Sequence, residues 1–176
     1  MTDQRVMVFI DGSNLYHSLR TRFGRTALQL DRFVERLVAG RRLVRAYYYH
    51  AEFDPAREPQ KYDDQQRFLY AVENLPYFEV HTGRLVYQPG WPDVPPYEKG
   101  IDVRIGTDMV IHSFRRNADA LILVSGDTDY ASAIQAVKDN GIVVEVALFG
   151  GGSEVLRKVA DAVREIDTAF LEGCWR

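Results

Sequence analysis

Short, nearly continuous apolar runs alternate along this chain with longer stretches whose apolar residues recur every three or four positions. Val6-Met7-Val8-Phe9-Ile10, Ala120-Leu121-Ile122-Leu123-Val124 and residues 142–149 are runs of the first kind. Their length and composition predict parallel strands buried on both faces. Two further strands are predicted over 43–50 and 77–87, the second broken near Thr82-Gly83. The helical periodicity falls between them. It predicts a first helix beginning near Leu15 and capped by Ser13 or Asn14. A second, capped by Asp31, places Phe33, Val34, Leu37 and Val38 on one face and ends at Gly40. A third over 60–75 carries Phe68, Leu69, Val72 and Leu75. A fourth opens at Lys99-Gly100-Ile101-Asp102 and runs to about residue 116.

A fifth helix is predicted over 129–140, ended by Gly141. A sixth follows Gly150-Gly151-Gly152-Ser153 and bears Val155, Leu156, Val159 and Val163. Residues 88–96, rich in proline and holding a glycine, read as a loop. The tail from 164 to 176 reads as a short edge strand or helix. Strands alternating with helices predict an α/β fold: a parallel sheet with helices on both faces. No repeat or linker interrupts the pattern, so one domain over 1–176 is expected.

Composition narrows the function classes. The chain has 176 residues and 46% hydrophobic residues, ordinary for a globular protein. A formal net charge of −3 excludes a broadly basic protein that coats nucleic acid, but not nucleic acid as a substrate. Three local arginine clusters are candidates for phosphate contact: Arg20, Arg22 and Arg25; Arg41, Arg42 and Arg45; Arg115 and Arg116. The single cysteine, Cys174, allows neither an internal disulfide nor a cysteine-based zinc site. The first apolar run meets Asp11 too early for a signal segment, and no run approaches membrane-spanning length. A soluble, cytoplasmic protein without membrane partners is expected.

The candidate chemistry lies at strand ends. Ser125-Gly126-Asp127-Thr128-Asp129-Tyr130 follows one apolar run, and Asp11-Gly12-Ser13-Asn14 follows another. Open α/β sheets place their sites just there, beyond the carboxyl ends of neighbouring strands. If these strands are adjacent, Asp11, Asp127 and Asp129 share a pocket. Carboxylates so packed repel and raise one another unless a cation neutralises them, which points to a divalent-metal site. Asn14 can orient a carboxylate or cap the helix. Ser125 leads into the acidic pair. Asp102 follows Lys99-Gly100, where glycine permits close approach and the lysine can meet a phosphate. Asp108 lies about 240° round a helix from Asp102, so both cannot point squarely into one pocket. It is assigned a supporting or surface role. The glycine run 150–152 lacks the lysine of a phosphate-binding loop, and the four histidines show no ligand spacing.

Phe9-Ile10-Asp11-Gly12-Ser13-Asn14, Lys99-Gly100-Ile101-Asp102-Val103 and Leu123-Val124-Ser125-Gly126-Asp127-Thr128-Asp129-Tyr130 together resemble the NYN domain, in the LabA-like branch of the PIN-like nucleases. The resemblance spans most of the chain. It implies a three-layer α/β/α PIN-like fold, mainly parallel, with strand order 3-2-1-4-5. It also implies a ribonuclease using Mg²⁺ or Mn²⁺. By motif match Asp11, Asp102, Asp127 and Asp129 fall on the catalytic and metal-binding acidic positions and Asn14 on their polar partner. Lys99, Ser125 and Asp108 stand as substrate-binding or supporting residues. RNA, single-stranded, is the implied partner, and a homo-oligomer is compatible with this reading. Two other readings compete. One is a regulatory RNA-binding module that keeps the pocket without turnover. The other is a phosphatase of the haloacid-dehalogenase type, suggested by Asp127-x-Asp129. Those enzymes, however, place such a pair after the first strand.

Overall fold

Along Arg5–Asp11 (β1), Val6, Val8 and Ile10 face one hydrophobic core while Met7 and Phe9 face another. The period of two in a pleated strand puts both faces inside, which explains why the run is continuously apolar. The computed structural model describes residues 3–176. The elements that follow are Gly12–Phe23 (α1), Leu30–Val38 (α2), Arg42–Glu52 (β2), Pro59–Glu73 (α3), Phe78–Val86 (β3) and Tyr97–Lys99 (β4). The second half holds Ile101–Phe114 (α4), Ala120–Val124 (β5), Ala131–Asp139 (α5), Val143–Leu148 (β6), Glu154–Val159 (α6) and Ala162–Glu165 (β7).

The strands form one sheet in the order β4-β3-β2-β1-β5-β6-β7. All pairs are parallel except β3 with β4. The inner order β3-β2-β1-β5-β6 is the expected 3-2-1-4-5, extended by one short strand at each edge. Leu15, Leu19, Phe33, Leu37, Leu69 and Val72 from α1, α2 and α3 fill one core. Ile101, Ile105, Met109, Ile134, Val137 and Leu156 from α4, α5 and α6 fill the other. The result is three layers. β1 sits where connections leave to opposite faces, the position at which such sheets open a crevice at their carboxyl ends.

Several local expectations are corrected. Asp11 caps α1 through Asn14, in place of Ser13 or Asn14, so the helix begins at Gly12. Gln29 precedes α2 and Asp31 lies in its first turn. Residues 77–87 do not break at Gly83. There β3 stays extended, and a Cβ at Gly83 would lie 2.7 Å from the Ile101 side chain. The glycine admits the start of α4 rather than a turn. Residues 97–99 pair with β3 instead of opening the helix. Residues 128–130 form a single 3₁₀ turn before α5. Val163 lies in β7 rather than α6, because the helix stops at Val159.

Arg41 is not free for phosphate. Its guanidinium pairs with the buried Glu145 carboxylate of β6 and donates to the Val38 carbonyl at 2.8 Å. Arg164 closes on the same carboxylate at 2.6 Å. Such a triad holds the one acidic residue of an apolar strand in its charged form. Among the described residues, no helix is long and apolar enough to cross a membrane.

Candidate functional site

Asp11 stands at the carboxyl end of β1 with its side chain on the α4–α5 side of the sheet, as the alternation from Met7 and Phe9 requires. It is 7% exposed. One carboxylate oxygen accepts the Asn14 N–H at 3.0 Å. The other accepts the Ser125 hydroxyl at 3.3 Å and the Tyr130 hydroxyl at 3.1 Å. Burial pushes the Asp11 carboxyl above its usual range. Those three donors pull it back, and the neighbouring charge of Asp127 raises it again. Gly12 is required by crowding: a Cβ there would lie 2.6 Å from the Tyr49 carbonyl and 2.7 Å from the Tyr48 ring.

The β5 turn is bound to this group. Ser125, fully buried, donates to Asp11 and accepts the Asp127 N–H at 3.2 Å. The Gly126 N–H reaches the Asn14 carboxamide at 3.0 Å. Asp127 in turn accepts the Asp129 N–H at 3.0 Å and caps the 3₁₀ turn. Asp11 and Asp127 are therefore neighbours, as the adjacency of β1 and β5 requires. Tyr130 is buried, and its hydroxyl is pushed upward by burial, then by Asp11, Asp127 and Asp102. Asp102, in the first turn of α4, lies close enough to add to that push, and together with the exposed Asp129 it lines a hollow of about 500 Å³ between α4 and α5. Asp11 and Asp127 are not among its lining residues, so the hollow opens beside the acidic centre.

Glu98 is the residue that sequence reasoning missed. It lies in β4 and is half-buried. Burial, then the charges of Asp11 and Asp102, push its carboxyl up to about 6, against the pull of the Ala51 N–H and the Ser13 hydroxyl. A lone glutamate after a proline-rich loop carries no local signal. Only the antiparallel return of β4 along β3, with Glu98 opposite Leu85, brings it to the acids.

Asp108 belongs elsewhere. It accepts the Tyr49 hydroxyl at 2.9 Å, meets His81 Nδ1 at 3.3 Å and stands 3.8 Å from Arg104. The helical angle that separated it from Asp102 is realised as a separate polar cluster under α4. Lys99 is exposed at the rim opposite Arg84 of β3. Several members of the arginine clusters lie away from the acids or are engaged. Arg42 donates its N–H to the Gln4 carbonyl, and Arg116 follows Arg115, the C-cap of α4, both at the amino end of the sheet. Arg45 pairs with Glu79, and Arg25 lies 4.6 Å from the centre of the Trp175 ring. Gly152 leads into α6 through Ser153, whose hydroxyl caps Leu156 at 3.2 Å. The glycine run thus serves as a strand-to-helix turn.

The donors at the acidic centre are hard carboxylate oxygens of the kind that take Mg²⁺ or Mn²⁺. Two of them, Asp11 and Glu98, carry a burial and repulsion penalty that a bound cation relieves. Among the described residues, no three His, Cys, Asp or Glu side chains are drawn together as a ready-made cage. A hard ion that retains several waters and asks one or two carboxylates of the protein fits such a site.

Comparison with known proteins agrees with this layout. The family model described as NYN domain matches residues 5–167. A crystal structure of VPA0982, a protein of unknown function from Vibrio parahaemolyticus, superposes with a TM-score of 0.74 at 22% identity, covering 96% of both chains. That likeness establishes a shared fold. MurG of Acinetobacter baumannii gives a TM-score of 0.44 at 15% identity, over 92% of this chain and 41% of that one. No curated protein sequence matches the chain.

Proposed function

The chain belongs to the NYN domain family, within the PIN-like nucleases, and from that membership we propose that it is a divalent-metal-dependent ribonuclease acting at its acidic centre. The observation that carries the reading is the joining of Asp11 to Asp127 through Ser125, at the carboxyl rim where β1 and β5 adjoin. A nuclease family supplies the reaction class, and the rim supplies carboxylates, Asp11 and Glu98 among them, whose burial and mutual repulsion favour a bound cation. The substrate is RNA, and the bond broken is a phosphodiester.

Asp11, Asp102, Asp127 and Asp129 would hold Mg²⁺ or Mn²⁺, one or two of them directly and the others through waters of the ion, with Glu98 beside them. A bound ion would activate the attacking water and neutralise charge on the phosphate and the leaving oxygen. The protein's own residues fix the frame. Tyr130 and Ser125 hold one oxygen of Asp11, and the Asn14 N–H holds the other. Asn14 also ties the β5 turn to α1 at Gly126, which fixes the turn that carries Asp127. Lys99, exposed on β4 next to Glu98, is placed to meet a phosphate of the substrate backbone.

The test is cleavage of a labelled single-stranded RNA by wild type and Asp127→Asn with Mn²⁺, Mg²⁺ or EDTA. The expected result is metal-dependent cleavage by wild type alone. Equal cleavage by both proteins would remove Asp127 from the chemistry. No cleavage by either, with RNA still bound, would leave a binding module in place of a nuclease.

A further inference from the structure

We propose that Arg57, Tyr87 and Trp91 form a base-stacking platform that holds one unpaired base of a single-stranded RNA next to the acidic centre. This rests on RNA being the substrate. The platform is built from two loops at the carboxyl ends of β2 and β3, the same rim of the sheet that carries Asp11 and Asp127. The Arg57 guanidinium lies 5.0 Å from the centre of the Tyr87 ring and 5.6 Å from that of Trp91. The two rings meet edge to face, 5.7 Å apart at 82°. Three flat groups of π or guanidinium character thus stand together on a loop surface.

The platform is held in advance. The Tyr87 hydroxyl donates to Glu58 at 2.6 Å and accepts the Asp54 N–H at 3.2 Å. Asp54 turns its own loop by accepting the Ala56 N–H at 2.8 Å, and it stands 3.4 Å from Arg57 Nε. A tyrosine anchored at its far end loses little freedom when a base arrives. The pairing with Asp54 also decides what Arg57 offers. The Asp54 carboxylate beside Nε offsets part of its charge, so Arg57 is placed to offer its flat face. Stacking on aromatic and guanidinium planes is how unpaired bases are held, and a duplex hides the faces such contacts need.

Exposure separates this group from the β2 aromatics on the same rim. Tyr47 is 6% exposed and Tyr49 is fully buried beneath α4, so neither can receive a base. Tyr87 and Trp91 are half-buried, and the Arg57 side chain is 46% exposed. A group serving only to pack its loop would gain by covering these faces. The link to the acids is the sheet itself: β2 and β3 run parallel to β1 and β5, so the loops that follow them leave the rim that carries Asp11 and Asp127. β1 and β3 are two strands apart, ~10 Å at ordinary sheet spacing. One strand of RNA crossing the rim spans that distance.

The test uses the two tryptophans separately. In a Trp175→Phe background, emission reports Trp91 alone. Titrating a single-stranded RNA in EDTA, where cleavage is off, should quench that emission saturably, and a duplex of the same sequence should not. Binding measured by anisotropy should weaken about tenfold in Arg57→Ala and in Trp91→Leu. Their salt slopes should stay unchanged, because no phosphate contact is lost. With Mg²⁺ or Mn²⁺ both variants should show raised KM and unaltered kcat, and their Tm should show that they fold. Silent Trp91 emission in the presence of RNA binding, equal duplex binding, or unaltered affinity in folded variants would each overturn the platform. Cleavage with silent Trp91 emission overturns the platform and leaves the nuclease standing. Quenching without cleavage overturns the nuclease and leaves the platform standing.

Discussion

The side-chain oxygen of Asn14 accepts the N–H of Gly126 at 3.0 Å, across 112 residues of sequence. The same residue gives its own N–H to Asp11 at 3.0 Å. One asparagine therefore joins the turn after β1 to the turn after β5, and the two acids these turns carry are held in one frame. Asn14→Ala removes the acceptor and leaves the Gly126 N–H half-buried without it. The expected cost is about 1–2 kcal/mol of stability, read by denaturant unfolding, together with a larger loss of cleavage than that drop explains. Unchanged stability would show that water replaces the carboxamide without penalty.

Asp127 has two separable roles, a cap and a charge. Its oxygen accepts the Asp129 N–H at 3.0 Å. An asparagine keeps that acceptor and an alanine does not. Asp127→Ala should lose about 1 kcal/mol. Asp127→Asn should match or exceed wild type in the absence of metal, by up to about 1 kcal/mol, because repulsion with Asp11 is relieved. Both should lose cleavage, and of the three only wild type should gain a thermal shift with Mg²⁺ or Mn²⁺. A strong loss of metal-free stability in Asp127→Asn would mean that the carboxylate charge itself is structural.

Glu98 makes the fold sensitive to pH in a defined direction. Its carboxyl is raised from 4.5 to about 6, so the folded chain prefers the neutral acid. That contribution is fully present below about 4.5 and is lost as pH rises through about 6. Glu98→Gln removes the loss while keeping an acceptor for Ser13 and Ala51. Its stability relative to wild type should grow between these pH values and level off above them. Because the group is partly exposed, the gain should be on the order of 1 kcal/mol. Thermal unfolding in EDTA across pH 4 to 8 reads the difference, and a flat difference would place Glu98 in water.

His50 slopes the other way over nearly the same interval. Burial lowers it from 6.5 to about 4, and its Nδ1 is buried without a hydrogen-bond partner. The neutral ring is favoured in the fold. Its contribution is whole above about 6.5 and is lost as pH falls toward 4. His50→Phe keeps a flat ring against Tyr48 and has no proton to take up. The variant should lose less stability than wild type between pH 6.5 and 4, on the order of 2 kcal/mol at the lower end. Parallel unfolding curves over that interval would contradict this.

What the chain discloses without its structure is whatever local physics dictates. Continuous apolar runs such as Val6 to Ile10 are stable only when both faces are covered, so they announce a layered parallel sheet. Polar residues placed where such runs stop, Asp11 and Asp127 among them, announce a rim. The NYN motifs supply the order of the inner strands, and the family match over 5–167 agrees with them. The alternation of Met7, Phe9 and Asp11 already determines which face the first acid takes.

Tertiary structure decided what depends on pairing between distant segments. Glu98 became part of the acidic centre only because β4 returns along β3. Asp108, close to Asp102 in sequence, was carried by the turn of α4 to Tyr49 and His81. Arg41, one of three neighbouring arginines in sequence, was drawn to Glu145, 104 residues away. Of the aromatics, Tyr49 was sealed under a helix while Tyr87 and Trp91 stayed at the surface beside Arg57. Periodicity reports which side of its own element a residue occupies. It carries no information about what another element brings to that side, because the apolar contacts that dock elements are not directional, whereas the polar contacts that define a site are.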